Sequence, residues 1–264
     1  MWRREDLYKA LNELRLDNYR NLFIHANLGL SGVCGTSPSN PHGVFLDTMQ
    51  DLVGKTSNFF LPAFTYSFGN GNTFRPYSDH GLKGMGLVSQ AAWERQYYRT
   101  LDPMFSLFGF GETVHEFAPK NTVHSSHGEG SNFAKLVDDN VGLILVNVGC
   151  GTTLIHELEY RFKVNYRFLK EFVGLCQYNP NSPKKLIRWT AFVNKREIPH
   201  SQADFSSLNR DLFSESNIKK VKLGRGYIVH FDTEFLTSFL KIKLDETPWY
   251  LTKQGRLDLE SAVR

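Results

Sequence analysis

Apolar residues along this chain fall into short runs divided by polar, glycine-rich stretches, and the runs switch between helical and strand periods. Leu7, Leu11 and Leu14 recur at helical spacing among charges, which predicts an amphipathic helix over residues 5–19. Leu22 to Ala26 reads as a short buried strand. A loop of small residues, Asn27 to Pro38, follows it, and Gly43 to Gly54 fits a helix stopped by its last glycine. Asn58 to Tyr66 predicts a second strand, closed by a polar loop through Asp79. Met85 to Arg99 fits a helix and Phe105 to Phe110 a third strand-like piece. After a turn over Ser131 to Leu136 comes Gly142 to Val146, apolar and uncharged, the pattern of a strand covered on both faces. Gly149 and Gly151 would free the backbone for a sharp turn there, with Thr152 or Thr153 capping the next helix.

The last third has another texture. Lys185 to Val193 alternates like an antiparallel strand with one wet face. Asp204 to Phe213 and Asp232 to Lys243 read as helices around a strand at Arg225 to Phe231, and the tail past Pro248 is weakly patterned and frayed beyond Lys253. Alternating strands and helices predict an α/β fold: a three-layer α/β/α arrangement with a largely parallel central sheet and an added antiparallel portion in the C-terminal third. At 264 residues the chain reads as a single domain spanning 1–264, with residues 180–250 an integral subregion.

Composition narrows the partners. Hydrophobic content of 41% suffices for a sizeable core. The net charge of +4 comes from scattered Lys and Arg, with no basic stripe, so nucleic acid is not implied and an anionic small ligand is compatible. Cys34, Cys150 and Cys176 are widely spaced, giving neither a disulfide framework nor a zinc spacing, and a reducing compartment follows. The polar start of the chain and the lack of any apolar run long enough to span a bilayer predict a cytoplasmic protein without a membrane partner.

Three polar clusters follow predicted strand ends, the rim where α/β sheets place their sites. In the first, Gly29, Gly32 and Gly35 would let backbone amides approach a ligand, with Asn27, Ser31 and Thr36 adding polar groups; an ordinary turn has the same composition. The second joins Asp102-Pro-Met-Phe-Ser106 to His124-Ser-Ser-His127-Gly-Glu129-Gly-Ser131. Its two histidines and Glu129 match no standard zinc spacing, and Glu129 reads as a carboxylate facing a ligand or an imidazole, or as part of a solvated loop. The third holds Cys150, His156 and Glu159. His156 and Glu159 share a helix face, as a catalytic pair or as an exposed polar pair, and Cys150 is open as a nucleophile or as a small buried hydrophobe.

Taken in order, these pieces resemble the aminoglycoside N3-acetyltransferase family, which is distinct from the common GNAT fold. The resemblance runs over residues 20–245 through His25-Ala-Asn-Leu28-Gly29, Leu61-Pro-Ala-Phe-Thr65, Met85-Gly86, Arg99-Thr-Leu-Asp-Pro-Met-Phe-Ser106, Gly128-Glu-Gly-Ser-Asn132 and Gly151-Thr-Thr-Leu-Ile-His-Glu-Leu-Glu159. Two positions depart from the family pattern: Asp102 stands where a histidine is usual, and Ala26-Asn27 replaces a Ser-Ser pair.

The resemblance implies direct transfer of acetyl from acetyl-CoA to an amine, without metal. His156 would be the base, Glu159 its orienting carboxylate, and Glu129 a second carboxylate or a group binding the cationic amine. Asn27, Gly29, Ser31, Gly32, Gly35, Thr36 and Ser106 would hold the CoA thioester, Thr65, Asp102 and Thr153 would face the substrate, and donors at residues 151–153 or Ser106 would meet the oxyanion. Since aminoglycosides are polycations and this chain is net basic, the expected acceptor is an amino sugar, nucleotide-linked and belonging to a surface-polysaccharide pathway. The alternative is aminoglycoside modification in antibiotic resistance. An amidase or acyl-enzyme built on Cys150 and His156, and an inactive carbohydrate-binding domain, stay open, and a homo-oligomer is compatible with the sequence.

Overall fold

A computed structural model describes residues 1–53, 57–78, 84–117 and 124–262. Gly54, the expected helix stop, and Asp79 lie outside them. In chain order the elements are α1 (Arg4–Glu13), β1 (Asn21–Ala26), α2 (Pro41–Val53), β2 (Asn58–Pro62), α3 (Leu87–Glu94), β3 (Tyr98–Arg99), β4 (Leu107–Phe110), α4 (Asn132–Asp138), β5 (Gly142–Val146) and α5 (Ile155–Arg161). There follow β6 (Arg167–Cys176), β7 (Lys185–Asn194), α6 (Ser206–Leu212), β8 (Lys219–Leu223), β9 (Gly226–Asp232), α7 (Thr233–Glu246) and α8 (Lys253–Ala262).

Seven strands form one sheet in the order β3-β4-β2-β1-β5-β9-β8. At its centre β1 pairs in parallel with β2 and β5, and antiparallel flanks leave β4 and β9 opposed to the other five. Strand alternation feeds both faces. Phe23, Leu143 and Leu145 enter the core beneath α4–α7, whereas Leu22, Ile24, Ile144 and Val146 enter the one beneath α1–α3. These are the three layers expected. The added antiparallel portion is a separate two-stranded hairpin, β6–β7, in register from Arg167 opposite Asn194 to Cys176 opposite Lys185.

Local chemistry corrects several expectations. The turn after β5 takes its left-handed residue at Asn147 (φ 51°), not at a glycine. Gly149 and Gly151 are small because α6 arrives there: a Cβ on Gly151 would stand 2.2 Å from the Phe205 ring, and one on Gly149 2.8 Å from the Asn209 amide. Leu154, not a threonine, precedes α5, with no side-chain cap. The tail past Pro248 is helical, with buried Gly255 packed on the Trp249 backbone and Arg256 bonded to Asp204 at 2.8 Å.

Asn147 binds the end of β5 to two neighbours. Its Nδ2 donates to Asn27 O (3.0 Å) and Ser31 Oγ (2.7 Å), and its Oδ1 accepts from Tyr227 N (2.8 Å). At about 1 kcal/mol per bond, Asn147→Ala should cost about 2–3 kcal/mol and lower Tm by roughly 5–10 °C. Thermal melting that returned a wild-type Tm would show the loop is held by other means.

Candidate active site

Two clefts open at the carboxyl ends of β1, β2 and β5. The first, about 690 Å³, is lined by His25 to Gly29, Gly32, Leu61–Pro62, the starts of α2 and α3, and Arg225. The second, about 810 Å³, is lined by Thr153, His156, Arg167, the Phe168/Lys170/Phe172 face of β6, and Phe192 to Asn194 with Arg196 and Glu197. A short partition divides them. Thr152 Oγ1 lies 3.1 Å from Nε2 of His25 in the first cleft, and the next residue, Thr153, lines the second.

His156 stands at the edge of the second cleft, its side chain 18% exposed, beside the fully buried carboxylate of Glu159. Nδ1 donates to Glu159 Oε2 at 2.5 Å; since a carboxylate only accepts, Nε2 keeps its lone pair. Arg167 Nε lies 2.8 Å from the same oxygen, and its Nη2 lies 3.4 Å from His156 Nε2. Burial pulls the imidazole below its usual range, against the upward pull of Glu159. Glu159 is held below the carboxylate range: its burial works the other way but is outweighed by His156 and Arg167. A neutral imidazole with a fixed tautomer and a lone pair on Nε2 is the form a general base requires.

The other expected residues divide. Asn27, Gly29 and Gly32 line the first cleft and Thr153 the second. Ser31 is buried, its hydroxyl accepting from Asn147 at the end of β5, while Thr36 Oγ1 accepts from Arg4 N and Gly35 packs against Met1 and Arg3, so that the latter two fasten the N-terminal segment; none of the three lines a cleft. Ser106 and Thr65 are buried around Arg99, whose Nε donates to Ser106 Oγ (3.0 Å) and Nη2 to Thr65 Oγ1 (2.6 Å). A guanidinium removed from water needs such acceptors, and burial still lowers its pKa to about 10.

Asp102 is buried too, and does not face a substrate. Its Oδ1 accepts from the Met104 and Phe105 amides and from Ser126 Oγ, which itself accepts from Trp189 Nε1, tying β7 to this turn. Burial pushes the Asp102 carboxyl up to about 6. Glu129 is exposed and lines neither cleft. The carboxylate that holds its loop is Glu157, which accepts from Gly128 N at 2.8 Å, while Gly128 itself adopts φ +85°. Cys150 is buried and lines neither cleft, and desolvation pushes its thiol up to about 12, which disfavours the nucleophilic thiolate at neutral pH.

Arg167 and Asn147 were not among the expected residues. Among the described residues, no group of three His, Cys, Asp or Glu is placed to hold a metal ion, and no helix is long and apolar enough to cross a membrane.

The profile of the aminoglycoside 3-N-acetyltransferase family matches residues 24–244. Aminoglycoside acetyltransferase AAC(3)-IIb superposes with a TM-score of 0.77 at 13% identity, over 93% of this chain and 97% of that one. AAC-IIIb, solved as a binary complex with CoASH, gives 0.73 at 16% identity over 92% and 96%. Sisomicin-bound AAC-VIa gives 0.74 at 13% identity over 90% and 96%. No curated protein sequence matches this chain. The family match runs from β1 into α7 and includes His156, Glu159 and most of both clefts; the chain belongs to the aminoglycoside 3-N-acetyltransferase family, and with it to the acetyl-CoA-dependent N-acetyltransferases.

Proposed function

We propose that this enzyme transfers acetyl from acetyl-CoA directly to a sugar amine, with His156 as general base. The observation that carries the reading is the 2.5 Å His156–Glu159 pair, which leaves the Nε2 lone pair on a residue lining the second cleft, with Arg167 Nη2 beside it at 3.4 Å. The first cleft suits the donor. Asn27, Gly29 and Gly32 present backbone along it, the first turns of α2 and α3 border it, and Arg225 adds a cation for a pyrophosphate. When bound, acetyl-CoA supplies the electrophilic thioester carbonyl. Nε2 of His156 takes the amine's proton as the C–N bond forms, Glu159 stabilises the imidazolium through Nδ1, and the C–S bond then breaks, with the proton passing from Nε2 to the sulfur so that CoA leaves as the thiol. Thr153, on the partition, replaces the buried Ser106 as the candidate donor to the developing oxyanion.

Of the two acceptor classes expected, the family match and the sisomicin complex of a structural neighbour favour an aminoglycoside over a nucleotide-linked sugar. One observation favours the second: the acceptor cleft is lined by Arg167, Lys170 and Arg196, with Glu197 as the carboxylate among its described lining residues. Thiol release from acetyl-CoA with sisomicin-type amines and with nucleotide-linked amino sugars separates the classes, and turnover with neither would sink the reading. Cys150→Ala should leave turnover unchanged and no acyl-protein adduct should be seen by mass spectrometry; loss of activity with a trapped adduct in wild type would restore the acyl-enzyme route.

A further inference from the structure

Arg167 is buried, and burying a guanidinium is unfavourable unless its partners compensate. It opens β6, and Nη1 donates to Phe192 O at 3.2 Å, fixing the head against β7. The rest of the guanidinium spans the catalytic pair, Nε against Glu159 Oε2 and Nη2 towards His156 Nε2. One carboxylate is thus shared by an imidazole and an arginine, and the arginine also reaches the nitrogen that must accept a proton. Neutral His156 offers Nη2 a lone pair. Protonated His156 would instead turn an N–H toward a cation 3.4 Å away. The incoming amine must deliver its hydrogen to this same nitrogen.

We propose that Arg167 is a positioning residue for acetyl transfer: it fixes Glu159 against Nδ1, holds Nε2 unprotonated by standing on it, and yields that nitrogen when the acceptor amine docks. This rests on His156 being the base. The groups bearing on His156 are Glu159 on its own helix, Arg167 on β6 and His127 in the loop before α4. The Tyr166 phenol bears on Glu159, and Lys170, Arg196 and Glu197 line the same cleft. Burial holds His127 neutral, so Arg167 supplies the positive charge nearest Nε2.

The test is the pH dependence of amine-driven thiol release from acetyl-CoA in wild type, Arg167→Met, Arg167→Gln and Arg167→Lys, with His156→Ala as control. With the arginine gone and Glu159 retained, the acid limb of kcat/KM should move up by about one pH unit. The plateau kcat should fall, KM for acetyl-CoA should hold, and Arg167→Lys should bring the limb part of the way back. An arginine that merely braced the fold would scale activity equally at every pH. An unmoved limb in Arg167→Met, or in Arg167→Gln if the Met variant does not fold, overturns the proposal while leaving an inactive His156→Ala consistent with the base. Retained turnover in His156→Ala overturns the base itself.

Discussion

His156→Ala is expected to lower kcat about 10²–10⁴-fold while leaving KM for acetyl-CoA close to wild type. The two effects separate because His156 lines the cleft assigned to the acceptor, whereas the donor cleft is lined by other residues. In wild type kcat/KM should fall on the acid side with an apparent pKa below 6.5. Desolvation depresses the imidazole, the protonated form has no lone pair to give, and activity is therefore kept until pH drops through the lowered value. The variant should lose that limb along with its activity. Near-wild-type turnover at neutral pH would remove His156 from the mechanism.

Glu159→Gln should damage both rate and stability. The amide keeps the shape but can present its N–H to Nδ1, favouring the tautomer whose lone pair faces the wrong way; a kcat loss of about 10³–10⁴-fold follows. It also leaves Arg167 buried without a counter-charge, a loss of about 3–5 kcal/mol. Adding Arg167→Gln to Glu159→Gln should therefore destabilise less than the two singles summed, since the second change removes the orphaned cation. Strict additivity in chemical denaturation would show that the pair is not coupled, and an unchanged kcat in Glu159→Gln would reassign the orienting role.

The β5–α5 stretch was legible because its chemistry is local. An uncharged strand, two glycines and a His-x-x-Glu helix face lie within nineteen residues (142–160) and need no distant partner to be recognised. Arg167 was not legible, because its pairing with Glu159 joins a helix to a strand across a turn and has no spacing rule. Strand β6 itself shows no clean alternation, with Phe168, Leu169 and Val173 exposed on both sides of the ribbon. Ser106, Thr65 and Asp102 misled for a related reason. A polar side chain that satisfies a buried guanidinium or a backbone amide looks, in sequence, like one that waits for a ligand. Glu129 misled by contrast with its neighbour in space, since the carboxylate holding that loop comes from Glu157 on α5. The final helix was missed because what orders it, Arg256 on Asp204 and Gly255 on the Trp249 backbone, is tertiary.

The wall of the cleft proposed for the acceptor comes largely from a hairpin that shares no ladder with the main sheet; it meets the rest of the chain through single bridges such as Phe74 to Cys176 and Ser125 to Thr190, and through side-chain links such as Trp189 to Ser126 and Arg167 to Glu159. The cleft proposed for the donor, by contrast, lies at the ends of the central strands. This division makes the two clefts mechanically separable. Substitutions on the exposed face of the ribbon can reshape that wall without disturbing the ladders at whose ends the other cleft lies.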